Sequence, residues 1–217
     1  MLGNKRGYHP HTLSVLATFA GIAIASSVAA SEVNYSHLKI HYLKADTSTD
    51  ELEDATGFNI GGSFQNDPSF YVFGDLKQLS ADADINDENR TADGGIEGKS
   101  IEIGVGYIRP ISEQWDINLS GSFIRIKGKA YLEMNFLDRK YYLSETTSDT
   151  GFGLKGGFRG MINPGLEARA FINLDNVGDS DTYASLGINA FLTENVSLGG
   201  DIEFGDTEIS AGLKIYF

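Results

Sequence analysis

The sequence contains no cysteine and only 4 prolines among its 217 residues. Because no disulfide can form, a stable fold needs a large core, a metal or closed backbone hydrogen bonding in lipid. Lysine and arginine number 17 against 30 aspartates and glutamates, which gives a formal net charge of −13. This excess of negative charge argues against a nucleic-acid partner, because the phosphate backbone attracts cations.

After residue 30 the chain also lacks any apolar run near the roughly 20 residues that a membrane-spanning helix requires. An apolar run does occur at 13–25, between a positively charged start and small residues that end at Ala30. This order is typical of a secretory signal peptide, with a retained anchor helix as the alternative. We predict a signal peptide at 1–30 and one mature domain at 31–217. Loss of the two cations Lys5 and Arg6 changes the net charge from −13 to −15.

Two-residue alternation runs through the mature chain. In the last nine residues, apolar side chains occupy every second position and polar or small side chains lie between them. This period is typical of a β-strand with one apolar face. The pattern recurs in about ten segments, each of about the length that crosses a bilayer when tilted. The segments are 33–43, 56–65, 69–79, 99–109, 114–127, 149–161, 166–174, 182–192, 196–204 and 209–217.

The connections between these segments fall into short and long classes that alternate along the chain. Short turns such as 163–165 contrast with 80–98, which is polar and acidic and is predicted as a loop, and with the long excursion at 128–148. The excursion has its own aromatic residues and could form a projecting hairpin. In 114–127 the apolar phase changes at Ile124, as a β-bulge or an exit from the membrane would produce.

Alternation by itself fits either a soluble β-sandwich or a transmembrane barrel. Long loops on one side, short turns on the other and the terminal Phe217 favour the barrel, and in lipid a spanning sheet must close. We predict an all-β, antiparallel, up-and-down transmembrane β-barrel of about ten strands, with eight as the alternative. Aromatic residues near strand ends are expected at the membrane interfaces: Tyr42, Phe64, Tyr107, Trp115 and Phe217.

The end of the chain resembles the assembly signal of bacterial outer-membrane barrels. In that pattern a polar residue and a glycine precede apolar or aromatic residues, and Ser210, Gly212, Ile215 and Phe217 fill those places. The mature chain resembles the small barrels of the outer-membrane protein A and X type, in the porin-like superfamily, which usually have eight strands. The resemblance implies a monomer in the outer membrane of a Gram-negative cell envelope. It also implies contact with membrane lipid and lipopolysaccharide, and folding by the barrel-assembly machinery.

Candidate catalytic residues are few. His37 and His41 are the only histidines after residue 30, and both are expected to face the lumen. Outer-membrane proteases and lipid-modifying enzymes use a histidine near the outer rim, where His41 is the candidate. Lys39 stands where the protease pattern has an aspartate. An enzyme is therefore the third interpretation, after a non-enzymatic barrel and a small passive pore.

The densest group of oxygen ligands lies in the predicted loop at 80–98. A calcium-binding loop would need a glycine at the position that Asp87 occupies, so we expect no dedicated metal site and no cofactor. Weak binding of divalent cations remains a prediction for this loop. Its candidate ligands are Asp82, Asp84, Asn86, Asp87, Glu88 and Asp93.

Charges of both signs fall on the predicted lumen face. Three cations, Lys155, Arg159 and Arg169, can pair with acids there. Side chains can largely fill a barrel of this size, so we expect a plugged or very narrow lumen. The candidate acidic partners in the lumen are Glu102, Glu167, Asp201 and Glu203.

The leading interpretation is a non-enzymatic outer-membrane barrel whose acidic loops serve surface interaction, protection or envelope stability.

Overall fold

The computed structural model describes most of the predicted mature chain, and the predicted signal peptide lies outside the described residues. No helix in the described part is long and apolar enough to cross a membrane. The described residues are 33–47, 52–87, 90–136, 139–178, 180–205 and 207–217. The strands are β1 (His37–Ala45), β2 (Ala55–Asp67), β3 (Phe70–Asp87), β4 (Arg90–Pro110), β5 (Trp115–Phe136), β6 (Arg139–Asn163), β7 (Leu166–Asp175), β8 (Asp181–Thr193), β9 (Val196–Phe204) and β10 (Glu208–Tyr216).

The ten strands form one closed antiparallel barrel in which each strand pairs with its neighbours in the chain. β1 and β10 close it, with Leu38 opposite Ile215 and Ala45 opposite Glu208. The predicted up-and-down barrel of about ten strands is therefore confirmed. Closure pairs every strand on both sides, as a sheet in lipid requires.

The outward side chains form an apolar belt around the barrel. Leu38 on β1 and Ile103 on β4 are 60% and 64% exposed, whereas the inward His41 is only 3% exposed. A continuous apolar surface of this extent is unfavourable in water and is typical of a transmembrane barrel. Of the aromatic residues expected near the strand ends, Trp115 is half-buried and four are exposed. The exposed residues are Tyr42, Phe64, Tyr107 and Phe217.

The two ends of the barrel differ in how far the strands continue. At the turn end, short turns join β2 to β3, β4 to β5, β6 to β7 and β8 to β9. At the opposite, hairpin end, β5 runs over 22 residues and β6 over 25, whereas β1 and β10 have 9 each. About 9–11 residues suffice to cross a bilayer, so β3 to β6 project beyond the belt as two hairpins.

The acidic stretch 80–98 is mostly strand, and its prediction as a loop was wrong. β3 continues to Asp87 and β4 begins at Arg90, with Asp84 opposite Asp93. Beyond the belt both faces of a strand meet water, so the alternation of polarity that marks a spanning strand is lost. The excursion at 128–148 is a hairpin of β5 and β6, as expected.

The phase change at Ile124 is an exit from the belt and involves no bulge. The pairing of β4 with β5 stays in register past this position. Ile124 and Ile126 line the interior, while Arg125 and Lys127 are exposed on the outer face. The outward face therefore changes from apolar to charged where β5 leaves the belt.

Replacing Ile103 by arginine should lower the free energy of unfolding by about 2–4 kcal/mol, because it places a charge at the middle of the apolar belt. The matched variant is Ser100→Arg on the same strand, where the new side chain enters the interior near Glu102. This variant should lower the free energy of unfolding much less. Urea unfolding of the protein in lipid vesicles measures both, and equal losses would contradict the assignment of the two faces.

Candidate functional site

The interior of the barrel holds a cavity of about 660 Å³. All ten strands contribute to its wall, which runs from Tyr35 near the turn end to Asp46 and Asp181 near the hairpin end. His37 and His41 both line it, as the alternation of β1 predicts. The cavity is therefore the main candidate site, and its chemistry depends on how the inward charges are paired.

Ion pairs run across the cavity wall from strand to strand. Arg169 donates from Nε and Nη2 to the two carboxylate oxygens of Asp201, each at 2.6 Å. Lys39 Nζ lies 2.6 Å from Asp75 Oδ1. Bidentate contacts such as that of Arg169 fix both partners in one orientation. Among the further cations that line the cavity, Lys77 pairs with Glu208, and Lys155 lies over the ring of Phe171 at 5.1 Å.

At the turn end three buried side chains lie inside the barrel, Tyr35, Arg159 and Glu167, which we call the floor cluster. Arg159 Nη2 donates to Glu167 Oε2 at 2.7 Å and to the carbonyl oxygen of Asn34 at 2.8 Å. The Arg159 guanidinium lies 4.4 Å from the centre of the Tyr35 ring. Asn189 donates to Glu167 Oε1 at 2.7 Å, and Glu167 is only 1% exposed. The charges of the floor cluster are thus shielded from water and mutually paired.

Tyr35 comes from the segment before β1 and folds into the mouth of the barrel. Its ring lies 5.1 Å from that of Tyr71, its hydroxyl donates to Asp116 Oδ2 at 3.4 Å, and it is 3% exposed. Three buried apolar side chains pack together at the same end. They are Met161, Phe191 and Tyr216.

His41 lies beside a serine and an aspartate, the residue types of a hydrolytic triad. Its Nδ1 lies 3.2 Å from Ser210 Oγ and 3.9 Å from Asp201 Oδ2. In a triad the serine and the carboxylate face different ring nitrogens, whereas here both face Nδ1. Asp201 is also held by Arg169. The arrangement therefore fits a hydrogen-bond network in the lumen better than a nucleophile with its base.

The predicted assembly signal lies on β10 and at its end. Ser210 and Gly212 are on the lumen face, while Ile215 and Phe217 are 55% and 60% exposed on the outer surface at the turn end. Ser210 thus also belongs to the lumen network. Recognition of these residues by assembly machinery stays a prediction.

The predicted cation-binding group is only partly described. Glu88 lies outside the described residues, as do the side chains of Asp84, Asn86 and Asp87. Asp82 accepts a hydrogen bond from the Tyr131 hydroxyl at 3.3 Å. Where side chains are described, no group of three or more histidines, cysteines or acids could hold a metal ion. Weak cation binding by the remaining residues, including Asp93, therefore stays a prediction.

The comparisons with known proteins show the fold. No protein-family model and no curated protein matches the chain. The β-domain of the Bordetella autotransporter BrkA is similar in structure, with a TM-score of 0.52 and 12% identity over 86% of this chain and 100% of that one. The translocator domain of the autotransporter NalP from Neisseria meningitidis gives 0.47 and 10% over 95% and 96%. Ail, the attachment invasion locus protein of Yersinia pestis, gives 0.40 and 16% over 82% and 95%.

Proposed function

We propose that this protein is a non-enzymatic integral protein of the outer membrane whose lumen is closed to through passage. The turn end then faces the periplasm and the hairpin end faces the outside. The observation that carries the proposal is the floor cluster, in which Tyr35, Arg159 and Glu167 are buried inside the turn end and contact one another. A barrel that is open at one end only does not form a channel across the membrane.

The surface role is proposed for the two projecting hairpins. β3 to β6 supply most of the chain beyond the apolar belt, so they are the first part that a molecule outside the cell would meet. Surface interaction, protection or envelope stability are the roles that such hairpins serve without an active site. We further propose export by a cleaved signal peptide, folding by the barrel-assembly machinery and a monomeric state.

The second candidate function is a small passive pore, which the polar cavity of about 660 Å³ favours. Recording from planar lipid bilayers separates the two functions. The wild-type protein should give no steady conductance, whereas Tyr35→Ala should give small steady openings, because it removes the ring that fills the mouth between Tyr71 and Arg159.

Tyr183→Ala is the matched control, since Tyr183 lines the cavity away from the floor cluster. This variant should give no steady conductance. Steady conductance from the wild-type protein would support the pore. The absence of conductance in Tyr35→Ala would contradict the proposal that the Tyr35 ring blocks the lumen. Any hydrolytic activity that is lost on His41→Ala would support the third interpretation, a barrel enzyme.

A further inference from the structure

Four cations lie together on the outer face of β4 and β5, and we call them the basic patch: Lys99, Arg125, Lys127 and Lys129. The pairing of the two strands puts Lys99 directly opposite Lys127. Arg125, Lys127 and Lys129 alternate along β5 and therefore share one face. Lys99, Arg125 and Lys127 are exposed, and Lys129 is half-buried. So dense a positive surface is unusual in a chain with a net charge of −13.

The basic patch is not neutralised by ion pairs, since none of its four cations makes one within the described part of the chain. By contrast, Lys44 Nζ lies 2.7 Å from Asp54 Oδ2. Like charges directly opposite each other destabilise a strand pair, so Lys99 and Lys127 would gain from an external anion.

The positions around the basic patch carry hydrogen-bonding groups and little negative charge. Glu97 is opposite Lys129, but the other cross-strand neighbours outside the patch are neutral. Hydroxyl and amide groups can hydrogen-bond phosphate oxygens beside a charged contact. These neutral neighbours are Gln78 opposite Lys99, and Thr146, Ser148 and Thr150 opposite Lys129, Lys127 and Arg125.

The basic patch begins where the apolar belt ends. Ile101 on β4 and Phe123 on β5 are 47% and 48% exposed and belong to the belt. The next outward residues towards the hairpin end are Lys99 and Arg125. In a membrane this is the depth of the lipid headgroups, where each lysine or arginine near an anionic surface contributes about 1 kcal/mol.

We propose that the basic patch binds the phosphorylated headgroup of a lipid in the leaflet at the hairpin end. This inference rests on the proposed function, which makes that leaflet the outer leaflet of the outer membrane. The lipid is then the phosphorylated glycolipid anchor of lipopolysaccharide. Its acyl chains lie along the apolar belt below the patch, while its phosphates meet Lys99, Arg125 and Lys127.

The test is native mass spectrometry of the mature protein in a mild detergent, titrated with lipid A or with dephosphorylated lipid A. Wild-type protein should bind lipid A and bind the dephosphorylated form at least about tenfold more weakly, because the phosphates supply the contacts to the cations. The triple variant Lys99→Gln/Arg125→Gln/Lys127→Gln should lose affinity for lipid A by a similar factor.

The matched control, Lys44→Gln/Arg109→Gln/Lys140→Gln, removes the same number of charges from exposed positions elsewhere on the surface. One of them, Lys140, donates to Glu133 at 2.8 Å, and this carboxylate raises the pKa of the ammonium group. The control should keep the wild-type affinity. Heat-modifiable gel migration verifies beforehand that both triple variants are folded.

Three results would overturn the inference. They are equal binding of the patch variant and the wild type, an equal loss in the control variant, and displacement of lipid A by millimolar inorganic phosphate, which would indicate a site for soluble anions. Because lipid A binding is measured in detergent, its outcome does not depend on where the protein lies in the cell. Cell fractionation that finds the protein outside the outer membrane would refute the proposed function separately.

Discussion

Replacing Glu167 by leucine should lower the free energy of unfolding by about 3–5 kcal/mol, because removal of one partner leaves a buried charge unpaired. Glu167 is 1% exposed, receives a hydrogen bond from Arg159 at 2.7 Å and lies 3.5 Å from Arg169 Nη1. Urea unfolding in lipid vesicles measures the loss. The single tryptophan of the chain, Trp115, supplies the fluorescence signal.

Two further variants identify the cause of this loss. Arg159→Met/Glu167→Leu removes both partners and should recover much of the stability, since no charge of the pair is then stranded. Glu102→Leu, on the open cavity wall, should cost far less. A loss of less than about 1 kcal/mol in Glu167→Leu would resemble an exposed ion pair and would contradict a closed, dry floor cluster.

Replacing Gly212 by valine should prevent closure of the barrel. Gly212 lies on β10 opposite His41, at the seam with β1. A Cβ at this position would overlap the backbone carbonyl oxygen of Ile40 and lie 2.6 Å from the Cα of His41. Because the obstruction is backbone, it cannot move without breaking the pairing of the two strands. Refolding into detergent should therefore give no heat-modifiable species.

The matched control is Gly98→Val on β4, where a Cβ would meet nothing within 4 Å, and it should refold normally. Refolding of purified protein also separates packing from assembly. If Gly212→Val refolds like the wild type in detergent but fails in cells, Gly212 serves recognition by the assembly machinery and the steric account of the seam is wrong.

The spanning part of the barrel could be predicted from the sequence because lipid and lumen impose opposite preferences on the two faces of each strand. The alternation of β1 correctly places Leu38 and Ile40 outside and Lys39 and His41 inside. The count of ten strands follows from the same signal. The pairing of Arg169 with Asp201 could also be predicted as one of several candidates, since both residues were assigned to the lumen.

The hairpins and the floor cluster were harder to predict from the sequence. In β3 and β4 beyond the belt, acidic residues such as Asp82 and Asp93 occur on strands that water surrounds, so the loss of alternation suggested a loop. Tyr35 lies in the inward phase of the predicted segment 33–43, yet no local pattern indicates that it folds across the mouth onto Arg159. Such contacts join residues that are distant in sequence and depend on the closed barrel.

The measurement that tests the closed barrel most directly is a disulfide across the seam. The chain has no cysteine, so Ile40→Cys/Leu213→Cys introduces the only pair. These two positions are opposite each other on β1 and β10. Paired antiparallel Cα atoms lie about 4.5–5.5 Å apart, within the range that a disulfide spans.

Ile40→Cys/Ile209→Cys is the control, since Ile209 lies four residues along β10 and about 13 Å from the paired position. In oxidised outer-membrane extracts, the seam pair should cross-link efficiently and the control pair should not, as judged by gel migration after denaturation without reductant. No cross-link in the seam pair, or equal cross-linking of both pairs, would contradict a barrel closed by β1 and β10.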